Sequence, residues 1–181
     1  MSKNVLTIDC DWIRNPEQVV ELIRLCKHYH KHPEVYFIKE HQYCAKYLAS
    51  GDTLYNLDEH HDMGYNEGSI RQSKQGIMNR GNWVRTLIEH NILNGYVWVK
   101  NYESYAQEEN PEYAEKINKM KTFMWTTDIN ILYNKDFKKI VVCESMCTLP
   151  EKYRFIYDAL KHIFDKYKED SIINIAKPLK L

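Results

Sequence analysis

The sequence has no excess of charge of either sign. Lysine and arginine together number 25, aspartate and glutamate together number 25, and the formal net charge is zero. Proteins that bind the phosphate backbone of DNA or RNA generally carry a basic excess or a basic patch. We therefore do not expect nucleic acid as a partner.

Long apolar runs and paired cysteines are also missing. No apolar run approaches the ~20 residues that a membrane-spanning helix requires, and residues 1–4 lead into neither the apolar core nor the cleavage site of a signal peptide. The five cysteines are odd in number and never spaced as a CxxC pair, which argues against a disulfide framework or a thiolate zinc site. Together these absences predict a cytoplasmic protein with reduced thiols and no membrane segment.

The chain does have enough apolar material for one core. Its 181 residues are 44% hydrophobic and 28% charged, which is typical of a folded globular chain. The length suits one domain of ordinary size, and we find no repeat, low-complexity tract or linker. We expect a single domain over residues 1–181.

Predicted strands and helices alternate along this domain. The strands are predicted at 4–9, 35–38, 53–57, 96–100, 123–132 and 139–142, with a hairpin about residues 134–135 between the last two. The helices are predicted at 41–49, 82–90, 111–121 and 150–168, and from Pro16 until the pattern fades near His32, while 64–81 form a long loop. This order favours a three-layer α/β fold, in which a mainly parallel sheet is covered by helices on both faces.

Acidic and histidine side chains follow the first three predicted strands. They are Asp9 and Asp11 after the first strand, His41 after the second, and Asp58, His60 and Asp62 after the third. Residues two apart on an extended chain point to the same side. Because the binding crevice of a parallel sheet lies at the carboxyl ends of its strands, we expect these groups to meet in one crevice.

Such a crevice is costly unless some of its carboxyl groups keep their protons or cations fill it. Like charges ~4 Å apart repel by several kcal/mol at an effective dielectric constant of ~20, and four carboxylates with two neutral imidazoles sum to −4. Two divalent ions balance that charge. Oxygen and imidazole ligands without thiolate suit manganese, iron(II) or zinc, and the excess of oxygen favours manganese.

The motif at 57–62, Leu-Asp-Glu-His-His-Asp, resembles the aspartate–histidine–aspartate signature of the arginase and agmatinase superfamily. The run LTIDCDW at 6–12 is similar to the other Asp-x-Asp strand of that superfamily, and His41 stands where its upstream histidine ligand would. A closer likeness is to a small arginase-like family that includes peptide arginases, with the run E-x-H or EEH, then LDxHxD, then NW. Here these are Glu40-His41, residues 57–62 and Asn82-Trp83, and the likeness spans roughly 4–145.

The resemblance implies an arginase- or deacetylase-like fold and a site with two manganese ions. One ion would be held by His41, Asp58, Asp62 and Asp9, and the other by His60, Asp58, Asp9 and Asp11. In the arginases, however, the Asp-x-Asp pair follows DxHxD in the chain, whereas here it comes first. A permuted strand order would place Asp9 and Asp11 equivalently, and Asp128 in a later strand is a rival for their role.

The resemblance also implies a reaction, the conversion of arginine side chains in a ribosomally made precursor peptide to ornithine and urea. Asp62 would be the proton donor and His61 a proton shuttle. For the carboxylate that holds the guanidinium, Glu144 is the first candidate and Glu40 the second. Asn82 either contacts the substrate or caps the helix that follows it.

Other functions stay open at this stage. The chain is shorter than the arginases that act on free arginine. Shorter loops would leave a more open entrance to the site, which suits a peptide substrate. The alternatives are a metallohydrolase acting on free guanidino compounds or acyl-lysine, and a non-catalytic peptide-binding protein. Assembly into a homo-oligomer is also left open.

Overall fold

A seven-stranded parallel sheet organises the chain. The computed structural model describes residues 3–102, 120, 122–145, 147–169 and 179–181. The strands of the sheet are β1 (Asn4–Asp9), β2 (Val35–Ile38), β3 (Asp52–Leu57), β5 (Leu93–Val99), β6 (Phe123–Thr126), β7 (Lys139–Cys143) and β8 (Lys168–Glu169). Two short strands, β4 (Ile77–Met78) and β9 (Leu179–Lys180), form a separate antiparallel pair.

The order of the strands in the sheet is β6-β5-β3-β1-β7-β2-β8, and every pairing within it is parallel. Strand β1 lies in the middle, with Ile8 opposite Leu57 of β3 and Asp9 opposite Cys143 of β7. The prediction of a mainly parallel α/β sheet is therefore confirmed.

Helices cover both faces of this sheet. They are α1 (Pro16–His28), α2 (Glu67–Lys74), α3 (Trp83–Glu89) and α4 (Phe155–Lys161). In β7, Ile140 and Val142 join one buried cluster with residues of α1 and α4, while Val141 joins a second cluster with residues of α3. Alternate residues of a strand point to opposite faces, so this division is consistent with a three-layer arrangement.

The segment predicted as a loop at 64–81 contains helix α2 and strand β4, so that prediction was wrong. Asn66 starts the helix, because its side chain accepts a hydrogen bond from the backbone N–H of Ser69. Ser73 is the only fully buried residue of α2. Ile70 is the one aliphatic side chain among the eight residues of this helix, too few for a helical pattern to be recognised in the sequence.

Three further predictions need correction. The strand predicted at 123–132 ends at Thr126 and is followed by a 3₁₀ turn at Ile129–Leu132. Residues 134–135, which the structure describes, do not join a hairpin, since β6 pairs with β5 while β7 lies between β1 and β2. The long helix predicted at 150–168 is instead a 3₁₀ turn (Glu151–Tyr153), helix α4 and strand β8.

The helix predicted at 41–49 is a 3₁₀ helix, His41–Tyr47. The one predicted at 111–121 lies almost wholly outside the described residues. Among the helices that the structure describes, none is long and apolar enough to cross a membrane.

Candidate metal centre

Four neighbouring strands deliver polar side chains to one point at the carboxyl edge of the sheet. Asp9 ends β1, Asp58 follows β3 directly, His41 comes shortly after β2, and Ser145 comes shortly after β7. These strands are adjacent, in the order β3-β1-β7-β2. The arrangement brings together residues that lie far apart in the sequence.

His41 lies among three carboxylates. Its Nδ1 atom is 2.9 Å from Oδ2 of Asp9, 3.0 Å from Oδ2 of Asp58 and 3.2 Å from Oδ2 of Asp62. All four side chains are buried. Because Nδ1 carries at most one proton, it cannot satisfy three carboxylate oxygens, whereas a metal ion accepts several such ligands at once.

A second group lies beside the first and shares Asp58 with it. Nδ1 of His60 is 3.2 Å from Oδ2 of Asp11 and 3.8 Å from Oδ1 of Asp58. Asp58 thus presents Oδ2 to His41 and Oδ1 to His60. The two groups, Asp9–His41–Asp58 and Asp11–Asp58–His60, each have ligand atoms within 4.8 Å of one another and could hold a metal ion.

A buried atom without a partner also fits a cation here. Within the described part of the chain, Oδ1 of Asp11 has no hydrogen-bond partner. Leaving a buried polar atom unpaired is costly. The residues present therefore fit a divalent metal by charge, by donor type and by this unsatisfied carboxylate oxygen.

The crowding of charge shifts the pKa values of these groups. Burial, together with the charges of Asp9 and Asp58, raises the pKa of Asp11 to about 8. Burial and the charge of Asp58 raise the pKa of Asp62 to about 6. Burial opposes the charged form of His60, but its hydrogen bonds to Asp11 and Asp58 prevail and raise its pKa to about 11. Without metal, protons take the place of the missing positive charge.

Neighbouring side chains hold the candidate ligands in place. Ser145 donates a hydrogen bond of 2.5 Å to Oδ2 of Asp9, and the indole N–H of Trp83 donates one of 2.5 Å to Oδ2 of Asp62. Asn56 donates through Nδ2 to Oδ2 of Asp58 at 3.0 Å. Such supporting bonds orient metal ligands and tune their affinity.

Two of these residues adopt a left-handed backbone. Asp62 has φ 53° and Ser145 has φ 48°, a region that costs a non-glycine residue of order 1–2 kcal/mol. Strain of this kind persists where the surrounding structure enforces it, and it is common at functional sites. Here one strained residue is a candidate ligand, and the other is the serine that holds the Asp9 carboxylate.

The candidate ligands line a cleft of ≈160 Å³. Its walls are Asp9, Asp11, His41, Asp58, His60, Asp62, Tyr65, Arg80, Gly81, Ser145 and Thr148. The ring of Tyr65 stacks on His61, with centroids 4.7 Å apart. Tyr65 also packs so closely against Gly81 that a Cβ there would lie 3.0 Å from the ring.

The structure therefore brings all six predicted metal ligands into one cleft. Asp9 and Asp11 reach it although they precede DxHxD in the chain, because β1 lies directly beside β3. Asp128, the rival for their role, is exposed and accepts a hydrogen bond from the backbone N–H of Asn130. It does not line the cleft.

Of the other predicted residues, Glu40 is buried and pairs with Arg80, which lines the cleft. Glu144 forms an ion pair with Lys39. Neither glutamate lines the cleft itself. His61 lies behind Tyr65, where its Nδ1 accepts a hydrogen bond of 2.9 Å from the backbone N–H of Met63.

Asn82 is fully buried. It occupies the N-cap position of α3, but its side chain makes no capping hydrogen bond. It instead accepts from the backbone N–H of Asn79 and donates to the carbonyls of Ser69 and Ile77. Its side chain therefore ties together the segment before α3.

Sequence reasoning missed several residues of the cleft. They are Tyr65, Arg80, Gly81, Ser145 and Thr148. It also selected Asn82 from the Asn-Trp pair, whereas Trp83 is the member that contacts a candidate ligand. Ser145 follows a predicted strand, so the same strand-end criterion that selected Asp9 could have found it.

No family model, curated protein or solved structure matches this chain. The fold and the site define the chain as an α/β protein with a buried aspartate–histidine cluster that could hold metal.

Proposed function

We propose that the chain is a manganese-dependent hydrolase that converts arginine side chains of a ribosomally made peptide to ornithine with release of urea. The observation that supports this most is the sharing of Asp58 by two histidine–carboxylate groups in one cleft. A carboxylate that belongs to two ligand groups can bridge a pair of metal ions ~3.5–4 Å apart.

In this proposal, each ion has its own histidine. His41, Asp9, Asp58 and Asp62 hold one ion, and His60, Asp11, Asp58 and Asp9 hold the other. The first set is supported by the three distances of 2.9–3.2 Å around Nδ1 of His41. The excess of carboxylate oxygen over imidazole nitrogen favours manganese over zinc.

Bound divalent ions lower the pKa of coordinated water and so supply a nucleophile near neutral pH. The chain's own residues position the substrate and move protons. Asp62 would take up the proton that the attacking water loses and deliver it to the leaving amine of ornithine, a role that requires a general acid. Trp83 fixes the Asp62 carboxylate for this transfer through its 2.5 Å hydrogen bond.

A cationic substrate needs a carboxylate outside the metal-ligand set. The four aspartates that line the cleft would all bind the two ions, whose charge would balance theirs. Glu40 is not among these ligands and pairs with Arg80, a residue of the cleft wall. A guanidinium group is planar and pairs well with carboxylates, so a carboxylate at this position supports an arginine side chain as the group that enters.

The test is a urea-release assay with the manganese-loaded protein. An arginine-containing peptide, free arginine and an acetyl-lysine peptide are compared, with Asp58→Asn as the inactive variant and Asp128→Asn as the matched control outside the cleft. We expect urea from the peptide with the wild-type chain and the control, and none with Asp58→Asn.

The other outcomes are equally informative. Urea from free arginine alone would move the proposal to a free guanidino substrate, and acetate from acetyl-lysine would move it to deacetylation. If the metal-loaded chain leaves all three compounds intact, hydrolysis of arginine is rejected.

A further inference from the structure

Arg80 and Glu40 form an ion pair at the wall of the cleft. Nε of Arg80 lies 2.8 Å from Oε2 of Glu40. The two partners differ sharply in exposure, since the Glu40 side chain is 3% exposed and that of Arg80 is 43% exposed. Arg80 lines the cleft, whereas Glu40 does not.

Glu40 stands directly before His41, a candidate metal ligand, in the chain. Arg80 is the cation that pairs with this buried carboxylate.

The pairing leaves one oxygen of the carboxylate unused. Oε1 of Glu40 is buried and has no hydrogen-bond partner within the described ranges. A guanidinium can bind a carboxylate through two parallel N–H···O bonds that use both oxygens. The contact between Arg80 and Oε2 therefore leaves Oε1 available to a guanidinium that binds both carboxylate oxygens.

We propose that Glu40 is the guanidinium-binding carboxylate of the cleft, and that Arg80 occupies it until an entering guanidinium displaces Arg80. The inference rests on the proposed function, because it takes the substrate to bear a guanidinium. Two cations at one buried carboxylate repel each other, so the two occupants compete. The exposure of Arg80 leaves its side chain free to swing toward solvent.

Glu144, the first candidate for this role, is less well placed. It is already paired with Lys39, and neither of these residues lines the cleft. Removing Arg80, in contrast, would open Glu40 to the cleft. The opposite role for Arg80, in which it helps to bind the substrate, predicts the opposite effect of its removal.

The experiment measures binding of methylguanidine to the manganese-loaded chain by calorimetry, with methylammonium as a second cation. The variants are Arg80→Ala and Glu40→Gln, and Arg71→Ala serves as the matched control, since Arg71 is an exposed arginine of α2. Manganese content and thermal melting of each variant are measured alongside.

We expect Arg80→Ala to bind methylguanidine about threefold to fivefold more tightly, the change produced when a competing ion pair of ordinary strength is removed. Glu40→Gln should lose most of the binding at unchanged manganese content, and Arg71→Ala should match the wild type. Methylammonium should gain less than methylguanidine from Arg80→Ala, since it cannot form the paired bonds.

Weaker or unchanged binding by Arg80→Ala would overturn the inference, as would full binding by Glu40→Gln. If Glu40→Gln does not fold, the Arg80→Ala result decides alone. Because binding is measured without turnover, a chain that releases no urea still shows whether Arg80 competes with the added guanidinium. An active enzyme whose Arg80→Ala variant binds no more tightly overturns this inference and leaves the proposed function standing.

Discussion

Trp83 donates its indole N–H to Oδ2 of Asp62 at 2.5 Å. The same oxygen lies 3.2 Å from Nδ1 of His41, and the rings of His41 and Trp83 are 5.0 Å apart. Trp83 is the first residue of α3, so the start of this helix is tied directly to the candidate metal centre. The position of α3 therefore determines where one of the ligands lies.

Replacing this indole tests that link. Trp83→Phe keeps a large aromatic ring in the core but removes the N–H, so Asp62 loses its orienting bond. We expect manganese affinity to fall about tenfold or more, measured by titration of the metal-free protein. Trp125→Phe, at a half-exposed tryptophan outside the cleft, should bind manganese like the wild type. Equal affinity in the two variants would show that Trp83 only fills space.

Two variants of Ser145 test the role of its hydroxyl and the strain of its backbone separately. Ser145→Ala and Ser145→Gly both remove the hydrogen bond to Asp9, so both should weaken manganese binding about tenfold. Glycine alone tolerates φ 48° without strain, so the metal-free Gly variant should be more stable than the Ala variant by about 1 kcal/mol. Urea denaturation measures this difference in stability. Equal stabilities of the two variants would contradict a strained backbone at Ser145.

One variant tests whether Asn82 stabilises the fold or contacts the substrate. Asn82→Ala removes the side-chain partner of the part-buried backbone groups of Asn79, Ser69 and Ile77. The Ser69 carbonyl keeps its hydrogen bond from the Ser73 hydroxyl, so we expect a loss of about 2 kcal/mol of unfolding free energy. Asn130→Ala, at an exposed position, should cost less than about 0.5 kcal/mol. A stable Asn82→Ala chain with a raised KM for the peptide would instead indicate substrate contact.

The sharing of Asp58 predicts how many ions each variant keeps. Asp11 belongs to one ligand group only, so Asp11→Asn should retain about one manganese ion per chain. Asp128→Asn, outside the cleft, should retain both. Metal analysis after gel filtration measures this. An Asp11→Asn chain that loses both ions, or keeps both, would contradict two separate ligand groups.

The strand-end criterion explains why the metal ligands could be predicted from sequence. Asp9, His41 and Asp58 each follow a run of β-branched and apolar residues, and parallel strands bring their carboxyl ends to one edge. Sequence could not give the neighbours of β1, because strand order depends on packing between distant segments. The structure places β1 between β3 and β7, which brings Asp9 beside Asp58.

The walls of the cleft were beyond sequence reasoning for a different reason. Tyr65, Arg80 and Gly81 lie in or next to a segment whose helix is polar and whose strand is two residues long, so it shows no usable period. The ion pair between Arg80 and Glu40 also joins distant positions. Contacts of this kind depend on the tertiary fold, and no spacing in the chain indicates them.

The most direct test of the central claim is the manganese content of the purified chain, measured by mass spectrometry after saturation and removal of free metal. The account predicts about two ions per wild-type chain and nearly none in Asp58→Asn, because Asp58 belongs to both ligand groups. About one ion or fewer per wild-type chain would contradict a two-metal site, and with it the proposed hydrolase.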